Sequence, residues 1–216
     1  MIYCFHGLFG HSEDFEGLGF ESNQYISVDL RDKTFLDQLV LNLTTEDVLI
    51  GYSLGGRIAL DLCFKAKKIP RKIILLGTNF GLKDSEREER RSWEDEIILK
   101  SQELNHPSFV QYWNQLPVFK HEVSTVFFDE KEKEEQLELF NSYRLSSQRD
   151  FSFDIQKEQH RFVFVFVLGE DDEKFMNLYQ TRWAHLDVKT YTLPGGHRVI
   201  QQKEKLKEVF VLEGLL

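Results

Sequence analysis

Short β-branched and aromatic runs alternate along this chain with stretches of helical periodicity, the arrangement of a parallel α/β sheet. The pattern predicts strands at Ile2–Phe5, Tyr25–Asp29, Val48–Tyr52, Lys72–Leu76, Phe162–Leu168 and Val188–Leu193. Helices are predicted over Thr34–Leu43, Leu54–Lys67, Glu173–His185 and Lys203–Leu212. The run RFVFVFVLGE is apolar nearly throughout, as befits a central strand covered on both faces. Between the fourth and fifth strands the alternation stops. From about Phe80 to Ile155 the chain reads as charged, amphipathic helices, in DSEREERRSWEDEIILKSQEL, PSFVQYWNQL and EKEEQLELFNSYRL. That interval is too long for an ordinary crossover. It is read as a helical cap, residues 80–155, inserted into a mostly parallel sheet core made of residues 1–79 and 156–216.

Composition narrows the class. At 216 residues the chain can bury a full core, and 41% hydrophobic with 13% aromatic residues fits a globular enzyme. The formal net charge of -9 argues against a nucleic-acid partner or an anionic membrane surface. An anionic ligand would need a local basic cluster working against the global field. Cys4 and Cys63 fall within an apolar strand and an apolar helix, so buried reduced thiols and a cytoplasmic location are expected. The start MIYCFHG has no basic region leading into an apolar stretch, so no signal peptide is expected, and no apolar run has the length of a membrane span. His11, His106, His121, His160 and His185 show no metal-ligand spacing, and neither a metal nor a cofactor is expected. The sequence leaves the oligomeric state open.

The candidate chemistry centres on VLIGYSLGGRIAL, Val48 to Leu60. A Gly-x-Ser-x-Gly turn between strand and helix places Ser53 in a strained conformation that flanking glycines tolerate. Its hydroxyl then stands at the carboxyl end of the strand and the amino end of the next helix, where backbone N–H groups favour negative charge. FVLGEDDEKF puts Asp171 and Asp172 just past the penultimate strand, and LPGGHRV puts His197 just past the last. The order serine, acid, histidine, each following a strand, brings all three to one sheet edge. There His197 would take a proton from Ser53 and the acid would orient the imidazole. Spacing alone does not choose between Asp171 and Asp172. In FHGLFG the turn offers the N–H of Leu8, which with that of Leu54 would make an oxyanion hole. His6 in the same stretch is read as structural.

With these parts the sequence resembles the α/β-hydrolase superfamily over nearly its whole length. Within it, GYSLGGRIAL, GLKDSEREERRSWEDE and FVQYWNQLPVF resemble the 2-succinyl-6-hydroxy-2,4-cyclohexadiene-1-carboxylate synthases of menaquinone biosynthesis. The resemblance implies Ser53, Asp172 and His197 as the triad. It also implies Arg57, Arg91 and Arg144 as arginines for substrate carboxylates, and Tyr52 and Trp113 as pocket aromatics. The implied activity is a cofactor-free elimination of pyruvate from a small polyanionic substrate, with the triad acting as base. The alternative on the same scaffold is a carboxylesterase or thioesterase using Ser53 as acyl nucleophile. The chain departs from its relatives at LRDKTF, after the second strand, and at Phe9, a bulky residue in the oxyanion loop.

Overall fold

The computed structural model describes residues 1–122, 125–157 and 162–216; His160, named above for its lack of metal spacing, lies outside them. Six parallel strands form one sheet, in the order β2-β1-β3-β4-β5-β6. They are β1 (Ile2–Phe5), β2 (Tyr25–Val28), β3 (Val48–Tyr52), β4 (Lys72–Leu76), β5 (Phe164–Gly169) and β6 (Lys189–Leu193). Three of them match the predicted spans; the others shift by one or two residues, with β5 starting at Phe164 and running on to Gly169.

The central strands are apolar at nearly every position, Lys72 at the start of β4 excepted, because both faces are covered. Leu49, Ile73, Leu75, Phe164 and Phe166 pack on one side, under α1 (Lys33–Asn42) and α2 (Leu54–Lys65). Their neighbours Val48, Ile50, Ile74, Val165 and Val167 point to the other, towards α8 (Lys203–Leu212). This is the strand's twofold alternation sorting consecutive residues into two cores.

Between β4 and β5 the described residues form four α-helices: α3 (Arg87–Glu103), α4 (His106–Asn114), α5 (Glu130–Ser142) and α6 (Ser152–Gln156). They have a cluster of their own, built on Ile97, Phe109, Trp113, Phe128 and Phe140. One member comes from elsewhere. Phe9, from the turn after β1, stacks on Phe128 at a centroid distance of 4.0 Å and meets Trp113 edge-on at 4.7 Å. Its φ of 54° is unusual for a side chain of this size. Burial of the ring, and a bond from its N–H to Gln136 Oε1, hold it there. The bulky residue that departs from the resemblance is thus the peg joining the β1 turn to the inserted helices.

After β5 the predicted Glu173–His185 helix is present as α7 (Glu173–Leu178), a widened turn over Tyr179–Trp183 and a tight turn over Ala184–Leu186. Cys4 and Cys63 are buried free thiols. Among the described residues no helix is long and apolar enough to cross a membrane, and no group of three or more His, Cys, Asp or Glu could hold a metal.

Candidate active site

Ser53 sits where β3 gives way to α2, at φ 51° and ψ −110°. A non-glycine residue is held in such a conformation only when its surroundings over-determine it. Here they do: Ser53 N–H donates to Leu76 O on β4, and the first turn of α2 packs directly on β1. A Cβ on Gly55 would stand 2.1 Å from Phe5 O, and one on Gly51 would meet the backbone of Gly56 at 2.4 Å. The glycines of this motif are therefore demanded by backbone-to-backbone contact as well as by the turn.

Three side chains form one hydrogen-bonded chain at the carboxyl ends of β3, β5 and β6. His197 Nδ1 donates to Asp172 Oδ2 at 2.7 Å, and Ser53 Oγ donates to His197 Nε2 at 3.1 Å. The carboxylate can only accept, so it fixes the tautomer that leaves Nε2 free for the hydroxyl. Asp172 and His197 are both buried, and the rings of Phe175, Tyr52 and Phe119 surround the imidazole at 4.8, 5.7 and 6.0 Å. Geometry also separates the two acids. Asp172 is the N-cap of α7, its Oδ1 accepting from Phe175 N–H while Oδ2 faces the histidine, whereas Asp171 is exposed. A usable signal was present in the sequence: a helix starting at Glu173 makes Asp172 the N-cap residue. His6 is buried, with Nδ1 against Gly7 O, and burial lowers its pKa.

The chain of three opens into a cavity of about 260 Å³. Leu8 and Leu54 line it beside Ser53, and as the first residue of α2 Leu54 has an N–H without an intrahelical acceptor. The Leu8 turn runs close to the serine: a Cβ on Gly7 would lie 2.8 Å from the Tyr52 ring and 3.6 Å from Ser53 Cβ. Tyr52 and Trp113 also line the cavity, and the buried Trp113 Nε1 has no hydrogen-bond partner among the described residues.

The arginines divide. Arg57 is buried in the cavity wall, where Nη1 donates to Tyr143 O at 2.8 Å and Gln148 Oε1 at 3.2 Å. It forms no ion pair among the described residues. Burial, and then the like charge of Arg90, hold its pKa well below the usual arginine value, against the pull of Glu94. Arg91 does not reach the cavity: it is exposed on α3, and the arginine that lines the cavity is its neighbour Arg90. Consecutive helical residues lie about 100° apart. The inward face of α3 is the one carrying Glu94, Ile97 and Ser101, in phase with Arg90 and out of phase with Arg91. The apolar Ile97, seven residues on, was the signal for that phase. Arg90 Nε donates to Glu94 Oε1 at 2.8 Å, and its guanidinium lies 4.2 Å from the Trp93 ring centre. Glu94 is fully buried and also accepts from Leu145 N–H and Ser146. Arg144 likewise lies outside the cavity lining, bound to Asp95 and Asn141. Lys174, which sequence reasoning passed over, is exposed at the cavity rim.

No family model matches the chain. It is 30% identical over 164 residues to a Haemophilus influenzae protein provisionally named 2-succinyl-6-hydroxy-2,4-cyclohexadiene-1-carboxylate synthase. It is 28% identical over 157 residues to the synthase of that name from Klebsiella pneumoniae. Each match covers 69% of this chain and 62% of the relative, so the chain spans less than two thirds of the length of the curated relatives it matches. Among solved structures, MenH from S. aureus superposes with a TM-score of 0.75 at 18% identity, covering 97% of this chain and 91% of that one. A carboxylesterase of Nitrososphaera gargenis reaches 0.59 at 15% identity, covering 99% and 88%. The fold is that of the α/β hydrolases.

Proposed function

We propose that this α/β-hydrolase-fold chain, with relatives named as 2-succinyl-6-hydroxy-2,4-cyclohexadiene-1-carboxylate synthases, performs the reaction that name describes. In that reaction a polycarboxylate cyclohexene loses pyruvate. The observation that carries the reading is the company Ser53 and His197 keep: Arg57, Arg90 and Lys174 line the same cavity in a protein of net charge -9. A neutral ester has no use for such a cluster. A substrate bearing several carboxylates does, because guanidinium groups bind carboxylates through paired N–H donors.

In the proposed mechanism the Ser53–His197 pair removes a proton from a ring carbon and His197 becomes an imidazolium. Asp172 compensates the new positive charge, as its bond to Nδ1 allows. The electron pair of the broken C–H bond moves into the ring, the C–O bond to the leaving group breaks, and pyruvate departs as its enolate. That enolate regains a proton, so the base returns to its starting state. The N–H groups of Leu8 and Leu54 are assigned to the negatively charged oxygen that develops during proton removal. The helices between β4 and β5 act as a cap that supplies Arg90 and Trp113 and keeps water from the reacting centre.

The test is pyruvate release from the synthase substrate, run beside a panel of neutral carboxylic esters and thioesters. Pyruvate release at a kcat/KM well above that for any ester supports the lyase. Efficient hydrolysis of esters without pyruvate release overturns it in favour of the carboxylesterase.

A further inference from the structure

Lys174 stands two residues after Asp172, in the first turn of α7, on the rim of the cavity that contains Ser53, His197, Arg57 and Arg90. An exposed lysine ordinarily serves as a solvated charge. Three observations set this one apart. First, the acids nearest to it in the chain are committed elsewhere. Both oxygens of Asp172 are used, one by His197 and one by Phe175 N–H. The Glu173 carboxylate is held by His121 at 3.0 Å and Lys120 at 3.3 Å. Second, Lys174 itself makes no hydrogen bond or ion pair among the described residues. Third, it sits within the field of two other cations. Desolvation at the cavity mouth, and then the charges of Arg90 and Arg57, lower its ammonium to about 8, against the attraction of Asp172. Arg90 has Glu94 as counter-ion, but Arg57 and Lys174 have none among the described residues. Like charges gathered with too few counter-ions are a cost to the empty site, and that cost is relieved when an anion enters.

We propose that Lys174 is a specificity-determining residue of this site, pairing with a carboxylate of the bound polyanion beside the contacts made by Arg57 and Arg90. The inference rests on the reading of the cavity as a polycarboxylate site. Its consequence is a binding step that is sensitive to mild alkali. Lys174 is mostly charged at pH 7 and discharges as the pH rises through about 8, so the affinity for a polyanion falls over that interval. The charged groups around it are Arg57 on α2, Arg90 on α3, Asp171, Asp172 and Glu173 just before it, His197 after β6, and Lys120 with His121 on the turn following Pro117–Phe119. A carboxylate bound at Lys174 would raise its pKa, so binding should take up protons near pH 8.

Calorimetric titration of the whole chain with tricarballylate, a tricarboxylate that cannot react, separates this inference from the lyase itself. The expected result is that Lys174→Gln weakens binding about three- to tenfold at pH 7, as for one partly screened charge pair. The variant should also lose the decline in affinity between pH 7 and 8.5, below the range in which Arg57 would discharge. Lys174→Arg should keep the affinity and lose the decline, because a guanidinium stays charged throughout. Changes common to the histidines cancel in these comparisons. Affinity within twofold of wild type in Lys174→Gln, with the decline intact, overturns the role of Lys174 while leaving the arginine site standing. No binding of tricarballylate to the wild-type protein overturns the polycarboxylate site and Lys174 with it. The lysine is exposed, so an unchanged melting temperature in Lys174→Gln is expected and excludes misfolding as the cause.

Discussion

The two walls of the cavity are built in opposite ways. On the sheet side, the three reactive side chains are matched to one another: Ser53 to His197, His197 to Asp172, and Asp172 also to the N-terminus of α7. On the cation side the account is left open. Among the described residues Arg57 has only neutral oxygens for partners and Lys174 has none, while Arg90 shares the buried Glu94 carboxylate with Leu145 and Ser146. A self-satisfied chain of groups holds its geometry without a ligand. A positive wall with too few counter-ions is complete only with one. The difference separates where bonds would be broken from where the substrate would be recognised.

Ser53→Ala is the sharpest way to break the first wall. Turnover should fall by on the order of a thousandfold or more while the fold persists, since the hydroxyl contributes chemistry and little packing. Circular dichroism beside steady-state pyruvate release checks both halves, and near-normal turnover in a folded variant would remove the proposed base. Asp172→Asn should come next, with a loss of about a hundredfold or more in kcat, because the amide no longer holds the tautomer. Asp171→Asn should stay within about twofold; equal losses would mean that the buried position of Asp172 is not what matters. Smaller again are the effects on the cation wall. Arg57→Ala and Arg90→Ala should each lower kcat/KM on the anionic substrate about ten- to a hundredfold, and barely alter hydrolysis of a neutral test ester. Parallel losses on both substrates would make these arginines structural. The smallest effect belongs to Arg91→Ala and Arg144→Ala, expected within about twofold of wild type in kcat/KM. A tenfold loss for either would bring that residue back into the site.

The sheet wall was the more legible of the two, and the reasons are local. A strand, a glycine-flanked serine and a helix leave the backbone few choices, and parallel strands deliver their carboxyl ends to one edge. Even so, the choice of Asp172 over Asp171 was implicit in the predicted helix start and was missed by counting from the strand alone. The cation wall was less legible because it depends on helix phase. Arg90 and Arg91 are adjacent in sequence, equal in charge and about 100° apart around the helix. Lys174 was passed over for another reason: a single lysine in an acidic loop carries no pattern.

By itself the sequence determined the parallel α/β order, the helical interruption after β4, and the strained serine with its histidine and acid in order. Each of these follows from short-range periodicity or turn chemistry. Tertiary structure decided which acid is buried, which arginine faces inward, that Phe9 pegs the β1 turn into the inserted helices, and that three cations, of which Arg90 alone has an ion-pair partner among the described residues, meet beside Ser53. Those outcomes depend on how α2, α3 and α7 are turned about their axes when they pack together. That rotation is set by buried contacts such as Ile97 and Glu94 rather than by the residues whose charges it brings together.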